Sequence, residues 1–161
     1  MDTKTNKKGI VRKVLRFIVK IVIYGFLFSI IYIVFCKWIN PPITLTQIGS
    51  VFQGHGLHRD YISINEMNAN VKLAVMASED QLFPDHNGFD FKSIQKAMKH
   101  NQKSKSLRGA STISQQVAKN VFLWQHGGYF RKGLEVYFTF MIEKFWSKKR
   151  ILEMRSEERS V

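Results

Sequence analysis

The longest apolar stretch of the chain lies close to its N-terminus. Residues 17–36 contain one charge, Lys20, which stands near the leading end. About twenty apolar residues are enough for a helix to cross a bilayer, and a lysine stem at that place can reach the headgroups. A cleaved signal has a shorter apolar region and a small-residue exit site, whereas this stretch ends in Phe35-Cys36. The pattern therefore predicts a retained transmembrane helix.

Polar caps and apolar periods mark further helices after this span. Asn40-Pro41-Pro42 opens an extended connector without a clear period. Ser63 and Glu66 form a capping box, which predicts that the next helix starts at Ser63 and runs up to Glu79. Its expected apolar face is Met67, Val71, Ala74 and Val75.

The same signals predict four more helices and a mainly α fold. The expected caps are Asp90 for the first, Thr112 with Gln115 for the second and Ser147 for the last, which starts at Lys148; the third runs from Arg131 to Trp146. For the first three, the expected inward-facing residues are Phe91, Ile94 and Met98, then Val117, Val121 and Phe122, then Leu134, Phe138, Met141, Ile142 and Phe145. No run after Pro42 alternates for long enough to indicate a sheet.

Basic residues cluster before the apolar span. Seven of them precede or enter it, against one acid, Asp2, and such flanks stay in the cytoplasm. Residues 37–161 are therefore expected on the far side of the membrane. The formal net charge is +13, and a basic domain held at a bilayer is expected to meet anionic headgroups rather than nucleic acid.

Two sets of residues are not explained by the needs of folding and therefore indicate function. Glu79 and Asp80 stand together at a predicted helix end, where the helix dipole disfavours negative charge. The segment 109–116 places small residues and two glutamines at the start of a helix whose free N–H groups attract anions, and Lys119, Arg131 and Lys132 follow. This second set indicates a phosphate-bearing ligand.

Three motifs made of these residues resemble, in order and spacing, the signature motifs of the peptidoglycan glycosyltransferases. They are Glu79-Asp80-x-x-Phe83-x-x-His86-x-Gly88, Gly109-Ala110-Ser111-Thr112-Ile113-Ser114-Gln115-Gln116 and Arg131-Lys132-x-x-Glu135. One short anchor followed directly by such a domain is similar to the monofunctional biosynthetic transglycosylases. The resemblance runs from about Ile64 to Met154.

The resemblance implies a lysozyme-like helical domain against the membrane that polymerises lipid II into glycan strands. It implies that Glu79 is the general base, that the reaction inverts the anomeric carbon as lipid diphosphate leaves, and that Glu135 is a second essential acid. The implied substrate-binding residues are Asp80, Phe83, His86, Ser111, Thr112, Gln115, Gln116, Lys119, Arg131 and Lys132. For Asp80, three roles stay open: it places a negative charge beside Glu79, it accepts hydrogen bonds from the motif backbone, or it holds a divalent ion.

The resemblance also implies a location and partners. We expect a single-pass protein of the bacterial inner membrane, with its N-terminus in the cytoplasm and its catalytic domain on the periplasmic or extracellular side. The partners would be lipid II, the growing lipid-linked strand, membrane lipids and other proteins of cell wall synthesis that determine cell shape. No cofactor is required, with Mg²⁺ or Mn²⁺ as an optional aid to the diphosphate.

The sequence departs from the resembled family at two places. The loop before the third motif lacks an arginine that many relatives carry, so one diphosphate contact is either missing or replaced by His126. Residues 148–154 begin like the fourth motif, which normally continues Tyr-Leu-Asn, but a charged tail follows. We therefore expect a C-terminally incomplete domain with weak or no activity.

The predicted layout and the alternatives are as follows. The segments are a basic cytoplasmic tail (1–16), a transmembrane helix (17–36), a connector (37–62), a partial glycosyltransferase domain (63–154) and an atypical charged tail (155–161). One alternative is a lysozyme-like glycan hydrolase that uses Glu79 as an acid. Another is a non-catalytic, membrane-anchored remnant that binds lipid II or anionic lipid.

Overall fold

The described part of the chain is built from α-helices. The computed structural model describes residues 3–52, 54, 63–125 and 127–157, and no strand occurs among them. The helices are α1 (Thr3–Phe35), α2 (Leu45–Phe52), α3 (Ala69–Glu79), α4 (Phe91–Lys103), α5 (Ile113–Phe122), α6 (Tyr129–Phe145) and α7 (Lys148–Glu157). The predicted fold class, mainly α with an apolar N-terminal helix, is confirmed.

Helix α1 contains the predicted membrane span. Its segment Gly9–Phe35 is 27 residues long and, by length and composition, apolar enough to cross a membrane. Most of this segment is exposed, but its C-terminal end is buried against the rest of the chain, with Ile33 and Cys36 fully covered. Trp146 Nε1 donates to Ile33 O at 2.8 Å, so the end of α1 is joined directly to the rest of the chain.

A cation from α7 closes the C-terminal end of α1. Arg150 Nε and Nη2 donate to Cys36 O at 3.2 and 2.9 Å, and Nη1 pairs with Glu153 at 2.9 Å. Carbonyl groups at a helix C-terminus lack intrahelical partners and carry partial negative charge, so a guanidinium there is favourable. The orientation of α7 is therefore fixed by its contact with the C-terminal end of α1.

The core lies around α5, as the apolar spacing predicted. The predicted residues Val117, Val121 and Phe122 of α5 and Met141 and Ile142 of α6 are all buried. They pack with α7 through Ile151, Leu152 and Met154. Phe122 stacks on Phe138 with ring centroids 4.9 Å apart. Burial of this set follows from the apolar face of each helix meeting a neighbour.

The connector contains a short helix, α2, which the pattern did not predict. Thr44 N–H donates to Gln47 Oε1 at 3.1 Å, and Gln47 N–H donates to Thr44 Oγ1 at 3.2 Å. This reciprocal pair is a capping box. Thr46 Oγ1 donates to Asn120 O at 3.0 Å, which holds α2 against α5. The prediction of an extended connector is wrong over residues 45–52, and the Thr-x-x-Gln spacing was the signal that could have shown it.

The predicted helix start at Ser63 is also wrong, although its local hydrogen bonds form. Ser63 N–H donates to Glu66 Oε2 at 3.2 Å, but the chain makes only a turn there. Helix α3 starts at Ala69, where Asn70 N–H donates to Asn68 Oδ1 at 2.9 Å. An asparagine side chain competes for a backbone donor in this way, so the helix restarts after Asn68.

The apolar faces predicted for α3 and α4 are largely exposed. Within α3, all of which the structure describes, no residue is buried, and only Val75 and Met76 pack partly against the core. In α4, Phe91 is 75% exposed and Met98 is 60% exposed, while the buried position is Ala97. Both helices lie at the edge of the described fold. The regular spacing of their apolar residues therefore does not correspond to a buried face.

The charged tail begins inside a helix. Ser147 Oγ accepts from Arg150 N–H at 3.2 Å at the start of α7, as expected for the predicted cap. The helix then continues past Met154 through Glu157, so the separation of a tail at residue 155 is not seen in the backbone. The last residues of the predicted tail, 158–161, lie outside the described residues.

The Arg150 contact predicts a specific loss of stability. Arg150→Ala removes both donors to Cys36 O and the partner of Glu153, so we expect the free energy of unfolding in detergent to fall by about 1–3 kcal/mol. Lys149→Ala, on the same helix but exposed, is the control, with an expected change of about 0.5 kcal/mol or less. Equal stability of the two variants would contradict the proposed link between α1 and α7.

Candidate active site

Glu79 stands in the wall of a cavity of about 640 Å³. Three stretches of chain line it: the end of α3, the start of α4 and the segment that leads into α5. The predicted site residues among the lining are Glu79, Asp80, Ser111, Thr112 and Gln116. The cavity therefore brings together the acid pair of the first motif and half of the second motif.

Asp80 is buried, and its side chain binds two other parts of the chain. Its carboxylate accepts from the Nε2 of His86 at 2.9 and 3.0 Å and from Ile113 N–H at 3.0 Å. His86 Nδ1 accepts from Gly88 N–H at 3.1 Å, so the ring hydrogen is on Nε2 and points at Asp80. Ile113 is the first residue of α5, where free N–H groups favour a carboxylate. Asp80 thus connects the end of α3 to the start of α5.

Gly88 is required by the close approach of α6. Its φ is +88°, a conformation that favours glycine, and an added Cβ would lie 2.9 Å from side-chain carbons of Thr139 and Glu143. Its carbonyl accepts from Thr112 Oγ1 at 2.7 Å. The last position of the first motif is therefore held between α6 and the start of α5.

Glu79 makes a two-point contact with a residue that the motifs did not indicate. Arg155 Nη2 donates to Glu79 Oε1 at 3.1 Å, and Arg155 Nε donates to Glu79 Oε2 at 3.3 Å. The side chain of Glu79 is 17% exposed and that of Arg155 is 13% exposed. The sequence offered no signal for this pair, because 75 intervening residues separate α3 from the end of α7.

Some residues of the second motif make structural hydrogen bonds, and others face the cavity. Thr112 and Gln115 form the predicted capping box at the start of α5, and both are buried. Ser114 Oγ donates to Glu143, which also pairs with Lys148 at 2.8 Å. Ser111 and Gln116 are the motif side chains that remain accessible in the cavity.

The third motif forms a separate charge cluster. Arg131 Nη1 donates to Glu135 Oε2 at 3.0 Å, and Lys132 Nζ contacts Glu135 Oε1. Glu135 is 3% exposed, so two cations neutralise one buried acid. An added Cβ at Gly127 would lie 2.9 Å from the Arg131 side chain, so this glycine gives Arg131 its room.

Several predicted site residues do not line the cavity. These are Phe83, His86, Gln115, Lys119, Arg131, Lys132 and Glu135. Phe83 is buried in the core, and its ring lies 4.6 Å from Lys148 Nζ. His126, the expected replacement for the missing loop arginine, lies outside the described residues.

Two cavity cations were missed by the sequence analysis. Lys96 and Arg108 line the cavity, and neither was among the predicted site residues. Arg108 is placed by its backbone, because Arg108 N–H donates to Asn101 Oδ1 at 2.7 Å and Asn101 Nδ2 donates to Arg108 O at 3.1 Å. Its position directly before Gly109 was the available signal.

The acid pair does not fit a divalent cation in this conformation. Within the described ranges, no group of three or more His, Cys, Asp or Glu is placed to hold a metal ion. The oxygens of Asp80 accept from His86 and Ile113, and those of Glu79 accept from Arg155.

Comparison with known proteins identifies the family of the chain. A family model described as Transglycosylase matches residues 45–157, which is more than half of the chain. The chain belongs to the transglycosylase family. This assignment agrees with the resemblance that its three motifs indicated.

Curated relatives of this transglycosylase-family chain are named biosynthetic peptidoglycan transglycosylase. The one from Pseudomonas syringae pv. syringae (strain B728a) is 44% identical over 149 residues, which cover 89% of the chain and 63% of the relative. The relatives from Pseudomonas aeruginosa (strain PAO1) and Bacteroides thetaiotaomicron are each 43% identical to the chain. Each match covers 89% of the chain, and covers 64% of the first relative and 60% of the second. The chain thus spans less than two thirds of the length of these relatives.

The Asp80 contacts of this transglycosylase-family domain predict the effect of removing the His86 nitrogen. His86→Phe keeps a ring but leaves the buried Asp80 with one fewer donor, so the free energy of unfolding should fall by about 1–3 kcal/mol. The control is Asp85→Asn, an exposed neighbour, with an expected change of about 0.5 kcal/mol or less. Chemical denaturation in detergent measures both, and an unchanged His86→Phe would contradict the role of the pair.

The hydrogen bonds of Asp90 predict that part of the folding stability is lost at low pH. Hydrogen bonds from Ser93 lower the pKa of Asp90 below its ordinary value of 3.8. Its ionised form therefore stabilises the folded chain fully above pH 3.8, and this contribution is lost as the pH falls through the lowered pKa.

The matched variant is Asp90→Asn, which keeps a capping oxygen without the charge. Between about pH 5 and about pH 2, the wild type should lose more stability than this variant. Thermal unfolding over this range tests the expectation. Parallel profiles would show that the Ser93 contacts do not favour the carboxylate.

Proposed function

We propose that this chain is a peptidoglycan glycosyltransferase that polymerises lipid II, with Glu79 as the general base. The observation that carries the proposal is the place of Glu79 in the cavity wall, at a helix end that Asp80 joins to the start of α5. Membership of the transglycosylase family and the names of the relatives support the same reaction.

The proposed step is an inverting displacement. Glu79 accepts the proton of the 4-hydroxyl of the incoming glycan, and the oxygen forms a bond to the anomeric carbon of the lipid-linked glycan. The bond from that carbon to the diphosphate oxygen breaks, and lipid diphosphate leaves with the electron pair. A carboxylate held by a rigid backbone suits a general base, because proton transfer needs fixed geometry.

Side-chain cations would stabilise the leaving diphosphate. Lys119, Arg131 and Lys132 are the proposed set, and Glu135 would be the acid that aims Arg131 and Lys132. Lys96 and Arg108 extend this set, because they stand in the same cavity as Glu79. Fixed cations act without reorganisation as the charge develops. The proposal therefore needs no resident cofactor.

The proposed location follows from α1. This helix would anchor the chain in the inner membrane, with the basic N-terminus in the cytoplasm and the domain on the outer side. Attachment of the domain to the end of the anchor through Ile33 and Cys36 would keep the cavity near lipid-linked substrates. Lipid II, the growing strand, membrane lipids and other cell wall synthesis proteins are the proposed partners.

The pairing of Glu79 with Arg155 favours a second candidate, a non-catalytic module that binds lipid II. In this conformation both oxygens of the proposed base accept hydrogen bonds from a cation. A binder needs no free base, whereas an enzyme must release it.

The test compares Glu79→Gln with the wild type in detergent on lipid II. Loss of a general base should lower the rate of glycan polymerisation by about 10²-fold or more while leaving lipid II binding within about twofold. Glu66→Gln, an exposed glutamate outside the cavity, is the control and should keep the wild-type rate.

The product distinguishes the alternatives. Polymer from the wild type that disappears in Glu79→Gln supports the transferase. Polymer at an equal rate from Glu79→Gln would refute Glu79 as the base. Binding of lipid II without polymer from any variant would assign the chain to the binding module, and release of sugars from finished wall would assign it to a hydrolase.

A further inference from the structure

The last helix of the described chain places a cation on the proposed base. Arg155 meets Glu79 through two different nitrogens, one on each carboxylate oxygen, at 3.1 and 3.3 Å. A guanidinium is a planar fork whose spacing matches a carboxylate, so such a contact has a defined geometry. Both side chains are largely shielded from water, and solvent therefore weakens the pair less than a surface pair.

Arg155 is held in this position by the packing of α7. Ile151 and Met154 of the same helix are buried in the core. Glu153 Oε1 accepts from Ile64 N–H at 3.0 Å, and Arg150 donates to the carbonyl of Cys36 at the end of α1. Contacts from residues 150 to 154, directly before Arg155, thus fix the helix from which it extends.

The contact competes with the proton transfer proposed for Glu79. A substrate hydroxyl must donate its hydrogen to one of the two oxygens that already accept from Arg155. Each oxygen can accept a second hydrogen bond, but uptake of the proton removes the negative charge that holds the guanidinium, so the N–H···O bonds weaken as the proton is transferred. Hydrogen bonds between charged groups are among the stronger ones in proteins, so the closed arrangement is the favoured state.

We propose that Arg155 is an internal lock that holds Glu79 closed until its side chain moves away. This inference rests on the proposed function, in which Glu79 is the base. The lock is a property of the α7 side chain and not of the three motifs. Arg155 is thus a positioning residue that acts on the rate through Glu79.

The first test measures the accessibility of Glu79 without using activity. The purified full chain in detergent is treated with a water-soluble carbodiimide and glycine ethyl ester, and modification of each carboxyl group is followed by peptide mass spectrometry. The exposed Asp85 provides an internal reference in every sample. Arg155→Ala should be modified at Glu79 on the order of tenfold faster than the wild type, relative to Asp85.

Two further variants make this test specific. Lys149→Ala removes a positive charge from an exposed position of the same helix and should leave modification of Glu79 unchanged. Arg155→Lys keeps the charge but has one nitrogen, so its rate should lie between those of Arg155→Ala and the wild type. If Arg155→Ala does not fold, Arg155→Gln takes its place. Unchanged modification of Glu79 in the folded variant would overturn the lock.

The second test measures glycan polymerisation from lipid II by the same variants. Arg155→Ala should polymerise several-fold faster than the wild type, and Lys149→Ala should match the wild type. A slower Arg155→Ala with intact folding would overturn an inhibitory role and show that the guanidinium assists Glu79. Faster modification of Glu79 without polymer from any variant would support the lock and refute the proposed function.

Discussion

The arrangement of the candidate site depends on one buried carboxylate, that of Asp80. It accepts the first backbone N–H of α5 and the Nε2 hydrogen of His86, and its own residue ends α3. A buried carboxylate is costly unless donors surround it, so these partners and the acid require one another. The backbone of Glu79, one residue earlier, takes its position from this contact.

Charge compensation is the second constraint, and it separates the site into two parts. At the cavity, Glu79 is met by Arg155 from α7. Away from the cavity, Glu135 is met by Arg131 and Lys132 on its own helix. The first pair joins distant parts of the chain and the second is local, so only the first couples the state of α7 to the proposed base.

Helix α1 and the candidate site are connected through α7. One end of this helix meets the C-terminus of α1 through Arg150, and the other end reaches Glu79 through Arg155. Buried apolar residues between them keep the helix in place. The same helix therefore contacts both the end of α1 and the proposed base.

The sequence alone determined those features that depend on local contacts. The apolar span, the Thr112 to Gln115 capping box and the inward face of α6 follow from bonds and spacings within a few residues, and the structure confirms them. The motifs likewise identified the family before any geometry was known. The late start of α3 and the exposed stripe of α4 were mispredicted, because the same local signals occur in a turn and at an edge of the fold. Only the tertiary structure decided that Lys96 and Arg108 share a cavity with Glu79, and that Arg155 lies on it, since distant segments meet through packing that no spacing along the chain records.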